Sequence, residues 1–210
     1  MKKSNIIQII IIIIVIIFGY LLYKSFKSSK TSNLSGSNNS EVSYVKSNLD
    51  NKNYLVQNLE NKEEATYILS DVYRRIFILR DYLRDHINNY PEFRPYIKQF
   101  CDKIKNLTLH ENAPNSKYTS YTVNKGEQIA LCLRSKENSK LHNINLVMYV
   151  AIHELAHVAC PEINHTDLFK KIFIFFLKIA VILGIYEKMD YQDSPEEYCG
   201  LTINENLFKY

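Results

Sequence analysis

Two histidines, His153 and His157, stand four residues apart with Glu154 beside the first. On an α-helix, positions i and i+4 share a face one turn apart, so both imidazoles could grip one metal ion. The glutamate can then reach a metal-bound water and accept its proton. This H-E-x-x-H pattern is a signature of zinc hydrolytic sites. Ile152, Leu155, Ala156 and Val158 around it are uncharged, as a helix buried beneath a cleft requires.

Zinc in a catalytic site takes three protein ligands and leaves a position open for water. Among the six histidines, His165 lies directly after the motif, beyond Pro161, which breaks the helix and lets the chain turn back. His165 is therefore the chosen third ligand; Glu187 on a later segment and Asp167 are the alternatives. The implied cofactor is Zn2+, with metal ligands His153, His157 and His165 and Glu154 as catalytic base. Zinc lowers the pKa of its bound water toward about 7, and a nearby donor stabilises the oxyanion. Tyr191 and Tyr198 are candidate donors, and nothing in the sequence chooses between them.

These residues need a scaffold. Region 145–159 reads as the helix that carries the motif, and 165–186 as a second, strongly apolar helix. Its stretch 172–185 is too short for a membrane span and is interrupted by Lys178, which points to a core helix. Upstream, Ala65, Ile68, Leu69, Val72, Ile76, Leu79 and Leu83 keep helical spacing over 61–88, with Arg74, Arg75, Asp81, Arg84 and Asp85 on the other face. Pro95 opens a short helix to about Lys105, with Ile97, Phe100, Cys101 and Ile104 inward. Regions 118–123 and 128–133 are Tyr/Thr/Val-rich or apolar and flank the turn Asn124-Lys125-Gly126-Glu127, a β-hairpin. A short strand is expected at Leu201-Thr202-Ile203.

The chain has 210 residues, room for one ordinary domain with appendages, and is 46% hydrophobic, enough for a packed core. Net charge is +4, much of it in the first thirty residues, and no basic block elsewhere suggests a nucleic-acid surface. No nucleic-acid partner is expected; the partner is a protein or peptide substrate. The cysteines Cys101, Cys132, Cys160 and Cys199 form no CxxC pair. Their isolated spacing is read as buried free thiols in preference to two disulfides. Cys160 and Cys199, near the motif, are read as buried thiols before they are read as ligands.

Residues 6–23, IIQIIIIIIVIIFGYLLY, carry one amide and no charge. At about 1.5 Å per residue they just span a hydrocarbon core of about 30 Å. They are read as an uncleaved membrane anchor (1–23), since no small-x-small cleavage site follows. Region 24–53, rich in Ser, Asn and Lys, is expected to be a flexible tether with a reach of about 30 Å, leading to a folded domain at 54–210. Lysines on both sides of the anchor leave its orientation unread.

The His165-Thr166-Asp167-Leu168-Phe169 segment after His153-Glu154-Leu155-Ala156-His157 resembles the WLM and SprT-like zincin metallopeptidases, where a His-x-x-x-Phe segment opens the following helix. The wider stretch, SYTVNKGEQIALCLR through MYVAIHELAHVACPEINHTDLFKKIF to PEEYCGLTI, is similar to a WLM-like family encoded by large DNA viruses. The resemblance covers roughly 61–207. It implies an α+β, minimal zincin-like fold with zinc on His153, His157 and His165 and Glu154 as acid/base. The spacer from His157 to His165 is longer than the compact WLM form. In such folds a strand before the active helix pairs with extended substrate, here 128–133.

The expected function is thus a single-pass, membrane-anchored zinc metallopeptidase, in a host or virion membrane if the protein is viral. The alternatives are a zinc-stabilised, non-catalytic interaction module at a membrane, against which the intact Glu154 argues, and a DNA–protein crosslink protease, which would want a DNA-binding element that the sequence does not display.

Overall fold

Short runs of β-branched and aromatic residues build the sheet of this protein, and one long amphipathic helix covers part of it. The structure, a computed structural model, describes residues 41–207. Strand β1 (Val42–Lys46) pairs antiparallel with β2 (Asn53–Gln57), with Val42 opposite Gln57 and Lys46 opposite Asn53. Ser47 closes the connection: its N–H donates to Lys52 O at 2.8 Å and its carbonyl accepts from Asn51 N–H. The expected tether of 24–53 is corrected here, because its last part is strand and turn. A polar composition concealed the short run Val42-Ser43-Tyr44-Val45, whose order comes from its partner strand and not from its own hydrophobicity.

Helix α1 (Lys62–Asp85) buries Ala65, Ile68, Leu69, Val72, Ile76, Leu79 and Leu83, all on the expected stripe. Its charged face is laced by Asp71 with Arg74 and Arg75 and by Asp81 with Arg80 and Arg84. After a 3-10 turn (Ile87–Asn89), helix α2 (Arg94–Lys103) has Pro95 in its first turn and turns Ile97 and Phe100 into the core. Cys101, expected inward, is half-buried.

Strands β3 (Thr108–Glu111), β4 (Ser120–Val123) and β5 (Gln128–Leu131) complete a five-stranded mixed sheet in the order β1-β2-β3-β5-β4. β3 runs parallel to both β2 and β5, while β4 and β5 form the expected antiparallel hairpin. The hairpin turn needs glycine. Gly126 sits at φ +118, and a Cβ there would meet Val158 Cγ1 at 3.0 Å and Lys103 Cβ at 3.2 Å.

A buried ion pair ties the sheet together: Arg134 Nε donates to Glu111 Oε1 at 2.7 Å. Glu111 Oε2 accepts the backbone N–H of Gln57, and Arg134 also donates to the side chain of Asn61 at the start of α1. Burial pushes the Glu111 carboxyl up; the Gln57 N–H and the Arg134 guanidinium oppose that shift.

Helix α3 (Ile144–Ala159) is the hub, touching α1, α2, β4, β5 and α4 (Asp167–Ile182). As expected of a core helix, α4 buries Phe169, Ile172, Phe173, Phe175, Phe176, Leu177, Ile179 and Ala180 and leaves Lys178 exposed. A second small sheet, β6 (Glu196–Tyr198) with β7 (Leu201–Ile203), follows as an antiparallel pair. The fold is α+β.

Two expectations are corrected. Cys132 and Cys199 form a disulfide that joins the end of β5 to the turn of the β6–β7 pair, whereas Cys101 and Cys160 are free thiols. Cysteines so far apart in sequence meet through tertiary structure, which spacing does not report. The single-pass membrane placement is also withdrawn. Among the described residues, no helix is long and apolar enough to cross a membrane, and the expected anchor at 6–23 lies outside the described residues.

Candidate metal centre

Helix α3 begins where Asn143 accepts the Leu146 N–H at 2.8 Å through its side-chain oxygen, an N-cap that sets the helix phase. That phase puts His153 and His157 on one face. The helix ends at Cys160, whose backbone is already extended, and Pro161 follows. Asn164, at φ 70, turns the chain back. Thr166 then caps α4 by accepting the Phe169 N–H at 3.3 Å. The cap directly after His165 and the left-handed residue directly before it hold that imidazole against the other two.

The three Nε2 atoms converge. His153 to His157 is 3.2 Å, His157 to His165 is 3.2 Å, and His153 to His165 is 3.0 Å. A tetrahedral zinc with Zn–N bonds of about 2.0–2.1 Å holds its nitrogens about 3.3 Å apart, so the triangle has the right size. Hydrogen bonding alone does not satisfy it. Each nitrogen either carries a proton or offers a lone pair, so in any triangle at least two like atoms face one another. A cation at the centre removes that conflict. Among the described residues, these three are the group whose donors converge closely enough for one ion. The alternatives Glu187 and Asp167 do not join them; Glu187 is tied through its backbone to Asn145.

Aromatic rings floor the site. Phe169 stacks on His157 at 4.1 Å and meets His153 and His165 edge-on at 5.0 and 4.9 Å. Phe173 meets His153 edge-on. Burial, then repulsion from the other imidazoles, drives His153 down to about 3; burial and His165 bring His157 to about 4. Both are neutral at pH 7, with lone pairs available to a metal.

Glu154 is buried, and burial pushes its carboxyl up to about 7, opposed by a hydrogen bond from Thr122. Thr122 Oγ1 donates to Glu154 Oε2 at 2.9 Å. Two residues earlier on β4, the Ser120 hydroxyl is 2.7 Å from the Tyr198 hydroxyl. Tyr198 lines the same cleft as Glu154, His153 and His165, while Tyr191 packs in the core against Tyr149. Of the two oxyanion candidates, only Tyr198 borders the cleft. Burial raises its phenol above the ordinary value, so it stays a proton donor.

Thr122 and Ser120 escaped the reading of the sequence. The signal was their period-two spacing on the hairpin strand, which puts both on one face. The strand expected to receive substrate is also corrected. β5 lies inside the sheet between β3 and β4, with both edges paired, so the outer strand beside the site is β4.

A histidine-lined helix, a returning third histidine and a buried glutamate make up a candidate metal site built on the HExxH pattern. The chain belongs to the WLM domain family, whose model matches residues 48–172. It is similar to the uncharacterized protein R325 of Acanthamoeba polyphaga mimivirus, with 57% identity over 170 residues, covering 81% of this chain and 86% of the relative. A second relative, the uncharacterized protein 042R of Invertebrate iridescent virus 3, is 39% identical over 82 residues, covering 39% of this chain and 50% of its own length. Among solved structures, Wss1 from Saccharomyces cerevisiae aligns with a TM-score of 0.46 and 20% identity, covering 62% of this chain and 88% of Wss1.

Proposed function

We propose that this protein is a zinc-dependent metallopeptidase that hydrolyses peptide bonds, with zinc on His153, His157 and His165 and Glu154 as the general base. The observation that carries the reading is the triangle of Nε2 atoms at 3.0–3.2 Å with the buried Glu154 beside it. Membership of the WLM family, which is metalloprotease-like, supports it.

Bound zinc would supply Lewis acidity to a water and to the scissile carbonyl. Glu154, with its carboxyl near 7, is matched to taking a proton at neutral pH and passing it on to the leaving amine. Thr122 engages Oε2 and so leaves Oε1 for that proton. The Tyr198 hydroxyl, held by Ser120, is the donor proposed for the developing oxyanion. The outer edge of β4 offers backbone groups to an extended peptide. A purely structural metal site has no use for a buried acid that its surroundings hold near neutral pH, which disfavours the idle-module reading.

Metal analysis and peptide digestion of the full chain, wild type against Glu154→Gln and His165→Ala, test this. Zinc should be stoichiometric in the wild type and in Glu154→Gln, and lost from His165→Ala; cleavage should occur in the wild type alone. Full zinc retention by His165→Ala would overturn the ligand set, and cleavage surviving Glu154→Gln would overturn the base.

A further inference from the structure

The cleft that holds the histidines continues past them. Tyr149 lies one helical turn before His153 on α3, and Phe173 lies one turn after Phe169 on α4. The Phe173 ring is 5.2 Å from both His153 and Tyr149, edge-on to each. A continuous aromatic path therefore leads from the metal ligands into a hollow of about 550 Å³. Val150 lines it from α3, and Leu201, Ile203 and Leu207 line it from β7 and the segment after it; the exposed Lys170, Thr202, Asn204 and Glu205 border it as well. Leu201 is 57% exposed, an apolar flank with open space before it.

Such a chamber opening directly onto reactive groups is shaped for one part of a substrate. Most of its wall is aromatic and aliphatic, so filling it with an apolar group gains the hydrophobic free energy of both surfaces. A small side chain would leave the space unfilled, and a charged one would lose hydration against Tyr149, Val150 and Phe173.

We infer that this hollow is the specificity subsite, and that it selects a large apolar side chain, phenylalanine or leucine in size, next to the scissile bond of an extended peptide. Tyr149, Phe173 and Leu201 are the specificity-determining residues. The inference rests on the peptidase reading for what happens to the peptide once bound; the selectivity itself is a property of binding.

Three acetylated and amidated hexapeptides, identical but for Phe, Ala or Asp at one central position, are the probes. Their affinities for zinc-loaded Glu154→Gln full chain are measured by titration calorimetry, and their cleavage by wild type is followed by mass spectrometry. The Phe peptide should bind at least about tenfold more tightly than either the Ala or the Asp peptide. Leu201→Asp in the same background should remove most of that preference while retaining zinc. Equal affinities, no binding of any peptide, or an unaltered preference in Leu201→Asp would overturn the assignment. Preferential binding of the Phe peptide without any cleavage would sink the peptidase reading and leave the subsite standing; cleavage of all three peptides at equal rates would do the reverse.

Discussion

Thr122 Oγ1 lies 2.9 Å from Glu154 Oε2, so the outer strand of the sheet holds the acid that sits between the two helical histidines. The bond favours the charged carboxylate and opposes the burial that raises it. Thr122→Val keeps the shape of the side chain and removes the donor. Its kcat should fall by roughly tenfold, the worth of about 1–1.5 kcal/mol for such a bond, with zinc content unchanged. The acid limb of the pH–rate profile should move to higher pH, because Glu154 then ionises less readily. Thr122→Ser should restore most of the rate; a valine variant as fast as wild type would show that the bond does not position the base.

Acid should destabilise the metal-free protein, with a slope that reports the site. Unfolded histidines take up protons near 6.5, whereas His153 and His157 in the fold do so only near 3 and 4. Between about pH 4.5 and 6.5 the unfolded chain therefore binds two more protons at these positions, and stability rises with pH. Glu154 acts oppositely. Its folded value of about 7 lies above its unfolded one, so the fold holds a proton there that the unfolded chain has released. The net excess is one proton, a slope of about 1.4 kcal/mol per pH unit from these three groups. Glu154→Gln removes the opposing proton and should steepen the slope toward about 2.7 kcal/mol per pH unit. Urea midpoints of chelator-treated protein at pH 4.5, 5.5 and 6.5 measure it. A shallower slope in Glu154→Gln would contradict the assignment.

The Cys132–Cys199 disulfide anchors the β6–β7 pair, next to Tyr198, to the end of β5 across a sequence separation of 67. Chain-entropy arguments give a cross-link of that span about 4 kcal/mol. Cys132→Ser/Cys199→Ser should be less stable by an amount of that order in urea. Hydrogen exchange should speed up first over 196–203, where the cleft wall is attached, while α3 stays protected. Uniform acceleration through α3 would show that the link serves the whole fold and not the wall alone.

Legibility in the sequence followed the range of each interaction. α1 was readable because its seven apolar residues repeat on one stripe, and α3 because its apolar faces frame the motif. The triangle of histidines was readable because Pro161 and His165 are close in sequence to His157. β3 was not: Thr108-Leu109-His110-Glu111 has little strand character, and its buried Glu111 makes sense only with Arg134, a residue beyond the next hairpin. β1 hid in a polar region for the same reason, since its order derives from β2. Thr122 and Tyr198 come together with Glu154 from β4 and β6, and the disulfide beside Tyr198 joins positions 67 residues apart; no local pattern encodes such meetings. Strand order, which moved the peptide-pairing edge from β5 to β4, is likewise a long-range property.

The Arg134–Glu111 pair offers a test of how the sheet is held in register behind the site. Both side chains are almost fully buried, so each has lost its hydration and depends on the other. Arg134→Met leaves the Glu111 carboxylate with the Gln57 N–H alone, and breaking a buried pair in this way costs about 3–5 kcal/mol. Adding Glu111→Gln removes the charge but keeps an oxygen for the Gln57 N–H. The double variant Glu111→Gln/Arg134→Met should therefore recover much of the lost stability, since a neutral amide is cheaper to bury than an unpaired carboxylate. Chemical denaturation of the wild type, both single variants and the double variant closes the cycle. A double variant no more stable than Arg134→Met alone would mean that Arg134 acts through its contact with Asn61 at the start of α1 rather than through Glu111.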